Sequence, residues 1–191
     1  EKVKPTPSKK IIVARTFDKS LQQKLNKGAT VLLMAKPKSI KKSVAMAFQS
    51  GFWSPMFRNK VNPFGEETPG TQGILCDPKH AMFKDFPTEF HTNWQWWQLV
   101  KNSVAMVLDS TEHSYRPLIQ VIDGFDRNHK LGLVFEAKVG KGKIIVCSMD
   151  LPALQEFPEA RQMLSSIYSY MGSAAFSPKK ELDSKLISEI V

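Results

Sequence analysis

The opening of the chain limits the fold more than any other part of it. Lys10-Ile11-Ile12-Val13-Ala14 is a short apolar run rich in β-branched residues, and Thr30-Val31-Leu32-Leu33-Met34-Ala35 is a second. Between them, Leu21 and Leu25 recur at helical spacing, Asp18 or Ser20 stands where an N-cap belongs, and Gly28 follows as a stop. A strand, a helix of about ten residues and a second strand form a βαβ unit, which requires a parallel pair joined by a right-handed crossover. Parallel pairs need cover on both faces. The expected architecture is therefore α/β: an open, mainly parallel twisted sheet with helices on both faces and an antiparallel strand extension.

Further strands are expected at Gly73–Asp77, Val104–Leu108, Leu118–Ile122, Leu131–Ala137 and Lys143–Ser148. The last three, joined by the turns Asp123–Lys130 and Val139–Gly142, look like antiparallel neighbours at an edge or an extension of the parallel sheet. A short helix is expected over Ser43–Phe48, helical turns over His80–Phe86 and Asn93–Val100, and an amphipathic helix over Pro158–Met171. Residues 1–9 read as a linker from an upstream domain, 10–172 as the α/β domain, and 173–191 as a helical C-terminal tail with Leu182, Leu186 and Ile190 on one face.

With 42% hydrophobic and 24% charged residues, the chain is composed like a globular domain, and wholesale disorder is excluded. No apolar run approaches the roughly 18 residues of a membrane span, so no membrane partner is expected. The net charge of +9 is unevenly placed: residues 1–60 hold 14 basic and 2 acidic side chains. Nearly all of those bases are Lys, scattered as Lys9-Lys10, Lys24, Lys27, Lys36, Lys38 and Lys41-Lys42. Base readout and bidentate phosphate clamping favour Arg, so this reads as a solvated basic face or a dock for an acidic neighbour, and no nucleic-acid partner is expected.

The motifs of catalysis are absent. There is no G-x-C-x-G or G-x-S-x-G elbow; Cys76 and Cys147 lie in apolar strands, where a thiol is a small buried hydrophobe. His80, His91, His113 and His129 lack metal-ligand spacing, so neither metal nor cofactor is expected. Gly140-Lys141-Gly142-Lys143 has neither the length nor the following helix of a phosphate loop. What stands out is aromatic. Trp94, Trp96 and Trp97 fall within four residues beside His91 and Asn93, and Phe52-Trp53 with Phe57 occupies a Pro/Gly-punctuated loop. Aromatic faces stack on sugar rings and are enriched at protein interfaces. The binding or interface candidates are Trp53, Phe57, His91, Asn93, Trp94, Trp96 and Trp97. On a helix, Trp94 and Trp97 share a face while Trp96 points elsewhere, and one or two of the three are expected in the core.

The segments GILCDPKHAMFKDFPTEFHTNWQWWQLV and LGLVFEAKVGKGKIIVCSMDL, with VARTFDKSLQQKLNKGATVLLM, FWSPMF, SVAMVLDS and PLIQVIDGF, resemble the C-terminal region of glycoside hydrolase family 2 proteins, the β-galactosidase-like enzymes of saccharolytic Gram-negative bacteria. The similarity spans about residues 10–172. It implies a flavodoxin-like domain of the class I glutamine-amidotransferase type that lies downstream of sugar-binding, immunoglobulin-like and catalytic barrel domains. The glutamates of the retaining mechanism would belong to that barrel, so the resemblance assigns no catalytic residue here. It implies a non-catalytic accessory domain in carbohydrate degradation that supports domain packing, oligomerisation or substrate access. Its partners would be the parent's other domains, and its location periplasmic or extracellular. An autonomous carbohydrate-binding module is the alternative, and it requires exposed Trp side chains among polar neighbours.

Overall fold

The computed structural model describes residues 5–48, 59–61, 67–124 and 127–191. The chain opens as its first residues dictate: strand β1 (Ile11–Ala14), helix α1 (Lys19–Asn26) and strand β2 (Thr30–Met34), with β1 and β2 parallel in the register Ile11 to Thr30. The Asp18 side chain caps α1 by accepting from the Leu21 amide at 2.8 Å, and Leu21 and Leu25 are the residues α1 buries. Strands β3 (Ser43–Ala45), β4 (Asn59–Val61), β5 (Glu67–Pro69) and β6 (Ile74–Cys76) follow. Then come helix α2 (Trp97–Lys101), β7 (Val104–Val107), β8 (Ile119–Val121), β9 (Leu131–Val139) and β10 (Gly142–Cys147). Helices α3 (Pro158–Gly172) and α4 (Ser184–Ile190) close the chain.

Eight strands form one open sheet, in the order β1-β2-β10-β9-β7-β3, with β8 pairing β9 and β6 pairing β8. Strands β4 and β5 make a separate two-stranded ladder. The sheet is mixed, which corrects the expectation of a mainly parallel one. Among the described residues only β1–β2 and β2–β10 are parallel; β10–β9, β9–β7, β7–β3, β8–β9 and β6–β8 are antiparallel. The β9–β10 hairpin accounts for the difference. It was expected at an edge or as an extension of the parallel sheet; β10 does extend it, pairing parallel with β2, while β9 lies deep within the sheet and pairs antiparallel with all its neighbours. Ser43–Ala45 is also a strand rather than the start of a helix, because β7 supplies its ladder bonds.

Helices cover both faces, and the sheet separates two apolar clusters. On one face, Leu32, Met34, Ile145 and Cys147 pack with Leu99 and Val100 of α2 and with Met163, Leu164 and Ile167 of α3. On the other, Val31, Leu33, Ile144 and Val146 pack with Leu21 and Leu25 of α1 and Ile187 and Ile190 of α4. The period-2 alternation of β2 and β10 thus feeds two cores, and each large side chain so buried contributes about 1.5–3 kcal/mol. Strand β9 changes phase in mid-course. Leu131, Leu133 and Val134 all belong to the first cluster, whereas Phe135, Ala137 and Val139 belong to the second. Adjacent Leu133 and Val134 facing the same way mark a β-bulge, and the β8–β9 register shifts at the same level.

The hairpin also fixes two glycines. Gly140 opens its two-residue turn at φ 57°, a region other residues avoid. At Gly142 a Cβ atom would lie 2.6 Å from both the Leu25 and Ala29 carbonyl oxygens, so β10 approaches the end of α1 as closely as a backbone can.

Candidate aromatic and basic site

The segment from Glu89 to Lys101 places the aromatic side chains. Asn93 is half-buried, and its side-chain oxygen accepts from the Gln95 amide at 3.1 Å, capping the single 3-10 turn Trp94–Trp96 that leads into α2. The tight turn sends neighbouring indoles in opposite directions. Trp96 is fully buried against Phe83 and Phe86 and donates its indole N–H to Thr88 Oγ1 at 2.8 Å. Trp94 points out with 73% of its surface exposed, and Trp97 retains 36%.

Three rings meet on the outside. Trp94 and Trp97 lie 5.7 Å apart between centroids, and Phe48 stands 5.2 Å from Trp94 and 5.0 Å from Trp97, edge-on to the latter. Lys101 Nζ sits 5.6 Å from the Trp97 ring centroid, within cation–π range. His91 is exposed, its Nδ1 3.0 Å from the Thr92 carbonyl and its ring 4.7 Å from Phe90, which is itself 56% exposed. Trp53 and Phe57 lie outside the described residues. Of the candidates read from the sequence, Trp94 and Trp97 therefore share one outer face, Trp96 belongs to the core, Asn93 shapes the turn, and His91 pairs with Phe90 beside the segment.

A cavity of about 490 Å³ adjoins this face. It is lined by Lys36 and Lys38 just beyond β2, Ala45 and Met46 at the end of β3, Lys101 to Val104 leading into β7, and Asp150 beyond β10. It thus lies outside the carboxyl ends of β2 and β10, where open α/β sheets gather ligands. Lys101 belongs both to the cavity wall and to the aromatic face, and Phe48 lies two residues beyond Met46. Sequence reasoning missed this cavity because its walls come from four separate stretches of chain. The one local signal was Lys36-Pro37-Lys38 directly after a buried strand. Asp150 forms an ion pair with Arg15 at 2.6 Å. Lys36, Lys38 and Lys101 have no carboxylate partner among the described residues.

The thiols are poorly suited to nucleophilic chemistry. Burial pushes Cys147 up to about 12, and burial together with the Asp77 charge pushes Cys76 up to about 11. A second cavity of about 290 Å³ brings together His80, Arg116, Glu136 and Tyr170, with the Tyr170 hydroxyl donating to Glu136 Oε2 at 2.7 Å. His129 Nδ1 meets Asp109 Oδ2 at 2.7 Å on the surface. Among the described residues, no three His, Cys, Asp or Glu side chains converge in a way that would hold a metal ion, and no helix is long and apolar enough to cross a membrane.

A family model described as a domain of unknown function (DUF8487) matches residues 12–191. No curated protein matches the chain.

Proposed function

The chain belongs to the DUF8487 family, and from that premise we propose that it is a non-catalytic accessory domain of a family 2 glycoside hydrolase, acting in carbohydrate degradation with a flavodoxin-like, glutamine-amidotransferase-type fold. The observation that carries this reading is the exposed Phe48–Trp94–Trp97 face. Its two tryptophans come from the same stretch, Gly73 to Val100, that carries the resemblance to those enzymes. A chain that leaves two indoles in water forgoes their burial, and such a face fits a glycan or a neighbouring domain. The high thiol values of Cys76 and Cys147 support the assignment as non-catalytic.

Within the parent enzyme the domain would pack beside the catalytic barrel, support oligomerisation or shape access to the active site, in a periplasmic or extracellular protein. The reading frame upstream of Glu1 provides the test. It is expected to encode a barrel domain with an acid/base and a nucleophile glutamate. A stop codon close upstream, or an unrelated domain there, sinks the proposal.

A second reading is favoured by one observation: Trp94 is 73% exposed between the polar Asn93 and Gln95. That arrangement suits an autonomous carbohydrate-binding module. Titration of this chain with neutral and acidic oligosaccharides, followed by tryptophan fluorescence and binding heat, checks it; loss of a saturable signal in Trp94→Ala is the expected outcome, and silence across the panel rejects it.

A further inference from the structure

We infer that the aromatic face and the adjoining cavity form one site for an acidic pyranoside: a sugar ring stacked on Trp94 and flanked by Trp97, which is tilted 54° to it, with its carboxylate or sulfate ester held among Lys36, Lys38 and Lys101. This rests on the sugar-binding reading above and adds the charge of the ligand to it.

Charge decides the class of ligand. The cavity wall carries three ammonium groups and one carboxylate, and that carboxylate is already neutralised by Arg15. The Nη1 atom of the same guanidinium is buried without a hydrogen-bond partner, an unmet donor within that neutral pair. A neutral sugar entering here offers the lysines only hydroxyl oxygens as acceptors, whereas an anion offers stronger hydrogen bonds in which both partners are charged.

The rings then separate a sugar from a bare anion. Lys101 connects the two halves, since it lines the cavity and its ammonium group lies over Trp97. A ligand that spans both must present an apolar face and a charge within one or two residues of each other. A pyranose that carries a carboxylate or sulfate does so. An inorganic anion has no face to stack, and a polypeptide of acidic side chains has no flat one.

The test uses the whole 191-residue chain in calorimetric titrations with tetragalacturonate, a sulfated galactotetraose and neutral β-1,4-galactotetraose, with polyglutamate and oligothymidine as non-sugar polyanions. At least one acidic tetraose is expected to bind about tenfold or more tightly than the neutral one, with the margin shrinking as salt rises. Whichever acidic ligand binds identifies the charged group. The double variant Lys36→Ala/Lys101→Ala is expected to lose about tenfold for the acidic ligand and to leave the melting temperature unchanged, since both side chains are exposed. Trp97→Ala is expected to weaken acidic and neutral sugars alike. Equal binding of neutral and acidic tetraoses, unaffected by the lysine changes, overturns the inference but leaves the sugar-binding reading standing. No binding of any tetraose overturns both. Polyglutamate or oligothymidine binding as tightly as the acidic sugar also overturns it, in favour of a general polyanion surface.

Discussion

Trp94 and Trp96 are two positions apart and face opposite fates. Trp96 is enclosed by Phe83 and Phe86 with its N–H satisfied by Thr88, so Trp96→Ala leaves a large cavity and removes that hydrogen bond. A loss of about 3–5 kcal/mol is expected from urea unfolding. Trp94→Ala removes a mostly solvated ring, and its effect on stability is expected to stay within about 0.5 kcal/mol. The sequence foretold that not all three tryptophans share one environment. The arrangement expected, Trp94 and Trp97 on one face and Trp96 apart from them, is the one found, although a 3-10 turn rather than an α-helix carries the first of them. The cysteines give a pH prediction. In the unfolded chain their thiols ionise near 9, whereas the folded values are about 11 for Cys76 and about 12 for Cys147. Over that interval the unfolded chain releases protons that the folded chain keeps, so stability falls as pH rises. Burial pushes the Tyr115 and Tyr170 hydroxyls upward too, which acts in the same direction. Melting temperatures taken at increasing alkaline pH are expected to decline, and the decline is expected to be shallower in Cys147→Ala than in the parent chain.

At the scale of elements, local signals succeeded and returns of the chain failed. The β1-α1-β2 opening was legible because cap, apolar spacing and both strands lie within a few dozen residues. Helix α3 was legible for the same reason, with Pro158 at its first turn and six apolar residues buried along one stripe. No local pattern states that β10 will insert beside β2, more than a hundred residues upstream, and so the preponderance of antiparallel pairs over parallel ones stayed hidden. Ser43–Ala45 looked helical for want of a visible partner. The union of α1 and β10 depends on Gly142: in Gly142→Ala the added methyl meets the Leu25 and Ala29 carbonyls, and a cost of about 1–3 kcal/mol is expected in denaturant unfolding. The C-terminal segment is equally integral. Lys138 donates its amide to the Lys180 carbonyl and accepts from Leu182, and the Lys41 amide donates to the Ile190 carbonyl. Ile187, on the inner side of α4, is fully buried, so Ile187→Ala is expected to cost about 2–5 kcal/mol in the same measurement.

The whole molecule has two cores and one partition between them. Because β2, β9 and β10 contribute side chains to both clusters, loss of either should release the sheet that bounds the other. Thermal unfolding followed by near-ultraviolet and by far-ultraviolet circular dichroism is expected to give coincident transitions; two separated midpoints would show that the faces melt independently. At this scale the candidate site was the least legible feature. The aromatic half was visible as a cluster in the sequence, but the lysine-lined half is assembled only when the ends of β2, β3, α2 and β10 converge.

Strand β1 ends the sheet order, and Val13 on one of its faces is 39% exposed. An open strand edge offers its unpaired amides and carbonyls to any extended chain that passes. This one is only four residues long, with Lys9 and Lys10 immediately before it, Pro5 and Pro7 further back, and Arg15 immediately after. Two copies brought edge to edge would set these cations against each other. Prolines in the approach cannot donate to a continuing ladder. Intermolecular strand addition is thereby blunted at the point where the chain enters its sheet.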